Sequence, residues 1–150
     1  MPFIFPIKST FRDVEDIVCD YLDDILSEVT PQVSSYTFLP DELDEILNDE
    51  RQGAVVLVTR VGGASDYGSG ATTDTAAISL SVFSNTRADS WSLVSYIRQR
   101  LYDDSSGFFV GDARVTKVDE TTGPFDQPFD DPLRRVATFY FNITVRRNTR

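Results

Sequence analysis

The chain has 150 residues, with 14 Lys and Arg against 24 Asp and Glu, no histidine, and one cysteine, Cys19. That inventory excludes an intrachain disulfide, histidine triads, His-ligated or four-cysteine zinc, and Cys–His nucleophiles. The length suits a single domain over 1–150, and 41% hydrophobic with 25% charged residues is enough to build a substantial core.

The net charge of −10 is concentrated at one end. Residues 1–50 hold thirteen acids and two bases, Lys8 and Arg12, whereas residues 51–150 hold eleven acids and twelve bases. Such a surface repels phosphate backbones, so tight DNA binding is not expected. It reads as a solvated face, as the wall of a passage, or as an acidic docking surface.

Met1 to Ile7 is apolar but short and interrupted by Pro2 and Pro6. It lacks the basic start and small-residue cleavage site of a signal peptide. No run approaches the roughly 18 apolar residues that cross a membrane. Synthesis in a cytoplasm is the default expectation.

A helix is predicted over Asp13–Val29. Val14, Ile17, Val18, Tyr21, Leu22, Ile25, Leu26 and Val29 recur at spacings of three and four and build one apolar face. Thr10 is placed to cap its start, and Pro31 stops it. Asp16, Asp20, Asp23, Asp24 and Glu28 fall outside the apolar stripe or on its flanks. Val33–Leu39 reads as a short extended segment. Pro40–Leu47 reads as a short helix anchored by Leu43, Ile46 and Leu47, with Asp41, Glu42, Asp44 and Glu45 facing water.

From Gly53 to Val61 a β-branched run without helical period predicts a buried strand. Gly62–Thr73, rich in Gly and Ser, reads as a loose hairpin tip that orders on a neighbouring subunit. Asp74–Ser84 alternates around Ala76, Ile78, Leu80 and Val82, the pattern of a half-buried strand. A helix over Ala88–Tyr102 aligns Trp91, Val94, Ile97 and Leu101, and Gly107 ends it. Phe108–Asp119 is a third strand with a bend at Gly111, and Thr121–Pro132 a loop. The last strand, Leu133–Arg147, places Ala137, Phe139, Phe141, Ile143 and Val145 on one face. The sum is an α+β domain: a mainly antiparallel four-stranded sheet with two helices packed on one face and long hairpin loops.

Reactive chemistry is hard to place on this chain. The glycine loop lacks the Gly-Lys-Ser/Thr ending of a phosphate cradle and joins two strands rather than a strand and a helix. No serine sits in a Gly-x-Ser-x-Gly elbow, and neither Lys8 nor Lys117 lies in a serine–lysine motif. Asp16, Asp20 and Asp23 disfavour a Cys19 thiolate. Asp119, Glu120, Asp126, Asp130 and Asp131 miss calcium-loop spacing. We therefore expect no catalytic residue, no cofactor and no metal. Arg134, Arg135, Arg146 and Arg147 bracket the last strand and read either as edge protection or as partners for the acids of an adjacent copy.

The layout carries a resemblance. An acidic amphipathic helix precedes a hairpin reading Ala54-Val55-Val56-Leu57-Val58-Thr59-Arg60-Val61-Gly62-Gly63 and Ile78-Ser79-Leu80-Ser81-Val82-Phe83. Then come Thr86-Arg87-Ala88, a helix ending Ile97-Arg98-Gln99-Arg100-Leu101, and a final strand Arg135–Arg146. From Phe11 to Arg147 this resembles the tail terminator proteins of long-tailed, non-contractile bacteriophages, especially those infecting actinobacteria. The resemblance implies a small α/β sandwich without enzymatic activity or cofactor. It implies a homo-oligomer, a hexameric ring, at the head-proximal end of the tail in the virion. The ring would stop tube growth and join the tail to the head, with the major tail tube protein and head–tail connector proteins as partners. DNA would pass through without specific binding, and no membrane is involved. In that setting Arg60, Tyr67, Arg134, Arg135 and Arg146 are the candidates for the subunit interface. Asp20, Asp23, Asp24, Asp41, Glu42, Asp44 and Glu45 are candidates for an acidic lumen or docking face. The competing readings are a tube subunit, a stopper or adaptor connector, a small-molecule-binding α+β domain with a deep pocket, and an acidic DNA mimic.

Overall fold

A computed structural model of the chain describes residues 2–4, 11–65, 73–127 and 135–146. Among these residues three helices, α1 (Val14–Leu26), α2 (Leu43–Asn48) and α3 (Arg87–Asp103), accompany six strands. The strands are β1 (Gln32–Tyr36), β2 (Gln52–Ser65), β3 (Thr73–Ser84), β4 (Phe108–Val110), β5 (Ala113–Gln127) and β6 (Arg135–Arg146). They form one curled sheet in the order β1-β2-β3-β6-β5-β4. β1 runs parallel to β2 and every other neighbouring pair is antiparallel.

The sheet therefore has six strands and mixed direction, not the four mainly antiparallel strands expected. β2, β3, β6 and β5 form its antiparallel centre, and β1 and β4 sit at the edges. β1 is five residues of mostly polar sequence without alternation, and what holds it is the parallel ladder to β2. The stretch expected as one bent strand is a hairpin: Gly111 adopts a φ of +57° and turns β4 back onto β5.

The helices divide between the two faces. The apolar stripes of α1 and α3 lie on one face, against Val56, Val58, Ile78, Leu80, Val82, Phe139, Phe141 and Ile143. α2 packs on the other face, where Leu43 and Leu47 meet Val55, Phe83 and Val136. The start of α1 is capped by Asp13, whose carboxylate accepts from the Asp16 backbone N–H at 3.3 Å. Thr10, the expected cap, lies outside the described residues. The helix ends at Leu26, short of Pro31.

Two loops of the sequence reading are partly strand. Gly62, Gly63 and Ala64 continue β2, paired with Ala77, Ala76 and Thr75 across a bulge after Arg60. Gly63 is required there: its φ is +104°, and a Cβ would sit 2.0 Å from the Thr75 carbonyl oxygen. β5 likewise runs on through Thr121–Gln127, a segment with little to bury. It is held to α3 by charge instead. Glu120 accepts two hydrogen bonds from Arg98, both at 3.0 Å. Asp126 accepts from Trp91 Nε1 at 2.7 Å and from Arg87 Nε at 3.3 Å.

Candidate assembly surfaces

The most committed polar cluster lies where β2 leaves its bulge. Arg60 Nη1 and Nη2 grip the Asp74 carboxylate at 2.7 and 2.9 Å, and Arg60 Nε donates to the Gly62 carbonyl at 3.1 Å. Ser65 Oγ adds a third bond to Asp74 at 3.1 Å. Asp74 is only 4% exposed, so its charge depends on this clasp. The Arg60 hydrogen bonds hold the Asp74 carboxyl below its ordinary value, and Asp74 in turn raises Arg60. The interface candidate Arg60 is thus engaged within its own chain. Asp74 was missed from sequence, although it occupies an inward position of β3, in step with Ala76 and Ile78.

Arg135 and Arg146 are both exposed and stand at opposite ends of β6. Twelve residues of strand separate them by roughly 36 Å, so they belong to two different patches. Tyr67 and Arg134 lie outside the described residues, as does the adjacent Arg147. The seven candidate acids Asp20, Asp23, Asp24, Asp41, Glu42, Asp44 and Glu45 are all exposed. α1 packs over β1 and β2 on one face and α2 over β2 on the other. Asp23 is tied to β1, accepting from Ser35 Oγ at 2.8 Å.

A second surface was not legible in the sequence. α2 covers only one end of its face of the sheet. Beyond it, Thr59, Thr75, Ser79, Tyr140, Asn142 and Thr144 lie half-buried across three strands. Thr75 and Thr144 share a hydrogen bond at 3.1 Å, and Ser81 and Thr138 another at 2.8 Å. Pairing between hydroxyls keeps this face even and short of charge.

No reactive centre emerges among the described residues. Among the described residues, no group of three or more Cys, Asp or Glu side chains could hold a metal. The acids weighed for calcium are spent elsewhere: Asp119 pairs with Lys117, Glu120 with Arg98 and Asp126 with Arg87, while Asp130 and Asp131 lie outside the described residues. Burial is the chief reason that the Cys19 thiol is pushed up, with Asp23, Asp16 and Asp20 adding to it. A cavity of about 270 Å³ between α3 and β5 is lined by Arg98, Leu101, Tyr102, Val118 and Phe139, but its one strong cation is already paired to Glu120. No described helix is long and apolar enough to cross a membrane.

The family model for phage tail termination proteins matches residues 10–150, nearly the whole chain. The chain belongs to this family. A search of curated proteins finds no match. The chain is accordingly a bacteriophage tail protein with a structural role in the virion, and its partners are other components of tail assembly. For a tail terminator, surfaces matter more than clefts.

Proposed function

We propose that this tail terminator is a single-domain subunit of a closed ring, six copies in all, seated on the head-proximal end of a long, non-contractile tail tube. The ring ends tube polymerisation and offers the connector proteins of the head a joining surface. It acts by shape and charge, without turning over a substrate. The family match carries this reading.

The uneven distribution of charge supports it. A head-to-tail ring needs two unlike patches on every copy. Here residues 13–50 hold thirteen acids and no base, while residues 51–150 are close to neutral and hold most of the arginines. Arg135 and Arg146, with Tyr67 and Arg134, are the side chains we assign to contacts between copies or with the tube. Arg60 contributes by keeping the β2–β3 arm in shape through Asp74. Acids left facing a lumen would let DNA slide without adhering, because like charge disfavours phosphate contacts.

Electron microscopy of the purified protein, alone and mixed with tube protein, tests the reading. Rings of fixed size and capped, shortened tubes are expected. Long filaments of the chain alone would identify a tube subunit instead. Charge reversal at Arg134 and Arg135 should lower the assembled fraction in native mass spectrometry.

A further inference from the structure

Phe38 and Phe109 are each 69% exposed, and they stand at opposite edges of the sheet. A lone exposed ring is ordinary on a protein surface. What marks these two is the charge around each.

Phe109 belongs to β4, the outermost strand on its side. Phe108 and Val110 pack towards the core, so strand alternation sends Phe109 to the opposite face. There it pairs in register with Arg114 of β5, whose guanidinium lies 5.8 Å from the ring centre. Arg114 and Arg146 stand one residue beyond the paired Val115 and Val145, on neighbouring strands. Both valines are buried, so both arginines lie on the Phe109 face, and both are exposed. Like charges set across neighbouring strands repel. Neither arginine has an ion pair with a described residue. The fold thus keeps two unmatched cations beside a bare ring, an arrangement from which the single subunit gains little.

The other edge carries the opposite charge. Phe38 follows β1, its ring edge-on to Tyr36 at a centroid distance of 6.4 Å. Tyr36 packs against the cluster that holds Leu43 and Leu47, so Phe38 and α2 border one another. Asp41, Glu42 and Glu45 are exposed there and have no ion pair with a described residue. Residues 13–50 contain no base to offset them. β1 and β4 are the two outermost strands, five strand spacings or roughly 24 Å apart along the sheet. A chain therefore cannot bring its own Arg114 to its own Glu42.

From these observations we infer that Phe109, Arg114 and Arg146 of one copy dock on Phe38, Asp41, Glu42 and Glu45 of the next. The inference rests on the ring reading and names one of its joints. Unlike patches on opposite edges make a head-to-tail contact, the kind that a closed ring repeats. Aromatic rings and arginines are also the side chains in which protein interfaces are enriched.

Charge reversal in two separate chains tests the joint. One chain carries Arg114→Glu and Arg146→Glu, the other Asp41→Lys, Glu42→Lys and Glu45→Lys. Each alone should lose at least roughly tenfold of its assembled fraction in native mass spectrometry, while the dissociated chain still melts cooperatively. Mixed in equal amounts, the two should assemble again, because every joint of an alternating, even-numbered ring then sets opposite charges together. Parent-like assembly of either reversed chain, or a mixture that stays dissociated, overturns the inference and leaves the ring reading intact. Should a reversed chain fail to melt cooperatively, disulfide trapping decides. In a Cys19→Ser background, Phe38→Cys chains mixed with Phe109→Cys chains and oxidised after assembly should give covalent pairs of one chain of each kind, and rings without such pairs overturn the inference. A parent chain that stays single even with tube protein present overturns the ring reading and this joint with it.

Discussion

Replacing Asp74 by asparagine removes one charge from the clasp at the β2 bulge and changes almost nothing in volume. Asp74 accepts from two Arg60 nitrogens and from Ser65, and is 4% exposed. Breaking a buried pair by removing one partner costs about 3–5 kcal/mol, because the other charge is left unmatched. The Arg60 side chain retains 32% of its exposure, so water compensates part of that loss. We expect Asp74→Asn to lower unfolding free energy by about 2 kcal/mol and the thermal midpoint by about 4–8 °C. Urea titration at pH 7 reads the loss as a lower midpoint with an unchanged slope. The pH dependence has a fixed sign. Since the clasp depresses the folded Asp74 value, its contribution is complete above about pH 4 and disappears as pH falls through the depressed value. Asp74→Asn should therefore flatten the acid limb of the stability profile. The double variant Arg60→Met with Asp74→Leu should recover stability, with a coupling of at least about 1 kcal/mol. A loss under about 0.5 kcal/mol, or an acid limb identical to that of the parent, would show that the clasp contributes nothing to stability.

Other consequences are more local. Gly63→Ala must place its Cβ against the Thr75 carbonyl, so it should cost about 3 kcal/mol, whereas Gly111→Ala, with open space around it, should cost about 1 kcal/mol in the same melts. Removing the α1 cap with Asp13→Ala should cost about 1 kcal/mol in urea titration. Phe139→Ala, in the centre of the core, should cost about 3–5 kcal/mol and leave little folded protein at elevated temperature. Cys19 should react slowly with a disulfide reagent in the folded chain and quickly in urea, since burial and nearby acids both suppress its thiolate.

Elements that fold around their own apolar pattern were readable from the chain. The stripe of α1 and the alternation of β6 predict which side chains are buried: Val14, Ile17, Val18, Tyr21, Leu22, Ile25 and Leu26 are buried, as are Ala137, Phe139, Phe141, Ile143 and Val145, while Val29, beyond the helix, is half-buried. Elements defined by a neighbour were readable only in part: Val33–Leu39 reads as extended, but not as an edge strand of the sheet. β1 has no alternation of its own and is a strand because β2 offers it a ladder. The outer half of β5 looks like a loop because its residues are polar, but Arg98 and Arg87 reach across from α3 to hold Glu120 and Asp126. Gly62 and Gly63 suggest a hairpin tip, yet a bulge needs just such residues to let β2 pass close to β3. The acids of the candidate surface were found by counting. That α1 and α2, which carry them, lie on opposite faces of the sheet is announced by no residue pattern.

The ties between β5 and α3 make the subunit unevenly stiff. Its middle is bound by interlocked hydrocarbon, which is indifferent to salt. The distal half of β5 is anchored by ion pairs open to water, with side chains 38% and 36% exposed at Arg98–Glu120 and 62% and 53% at Arg87–Asp126. Such anchors weaken as ionic strength rises. Salt therefore loosens the seam between β5 and α3, while the ladder to β6, down to Gln127 opposite Val136, and the stack of Phe125 on Tyr140 keep the strand in the sheet. Amide exchange in the outer half of β5 should quicken with added salt more than in β3 or β6.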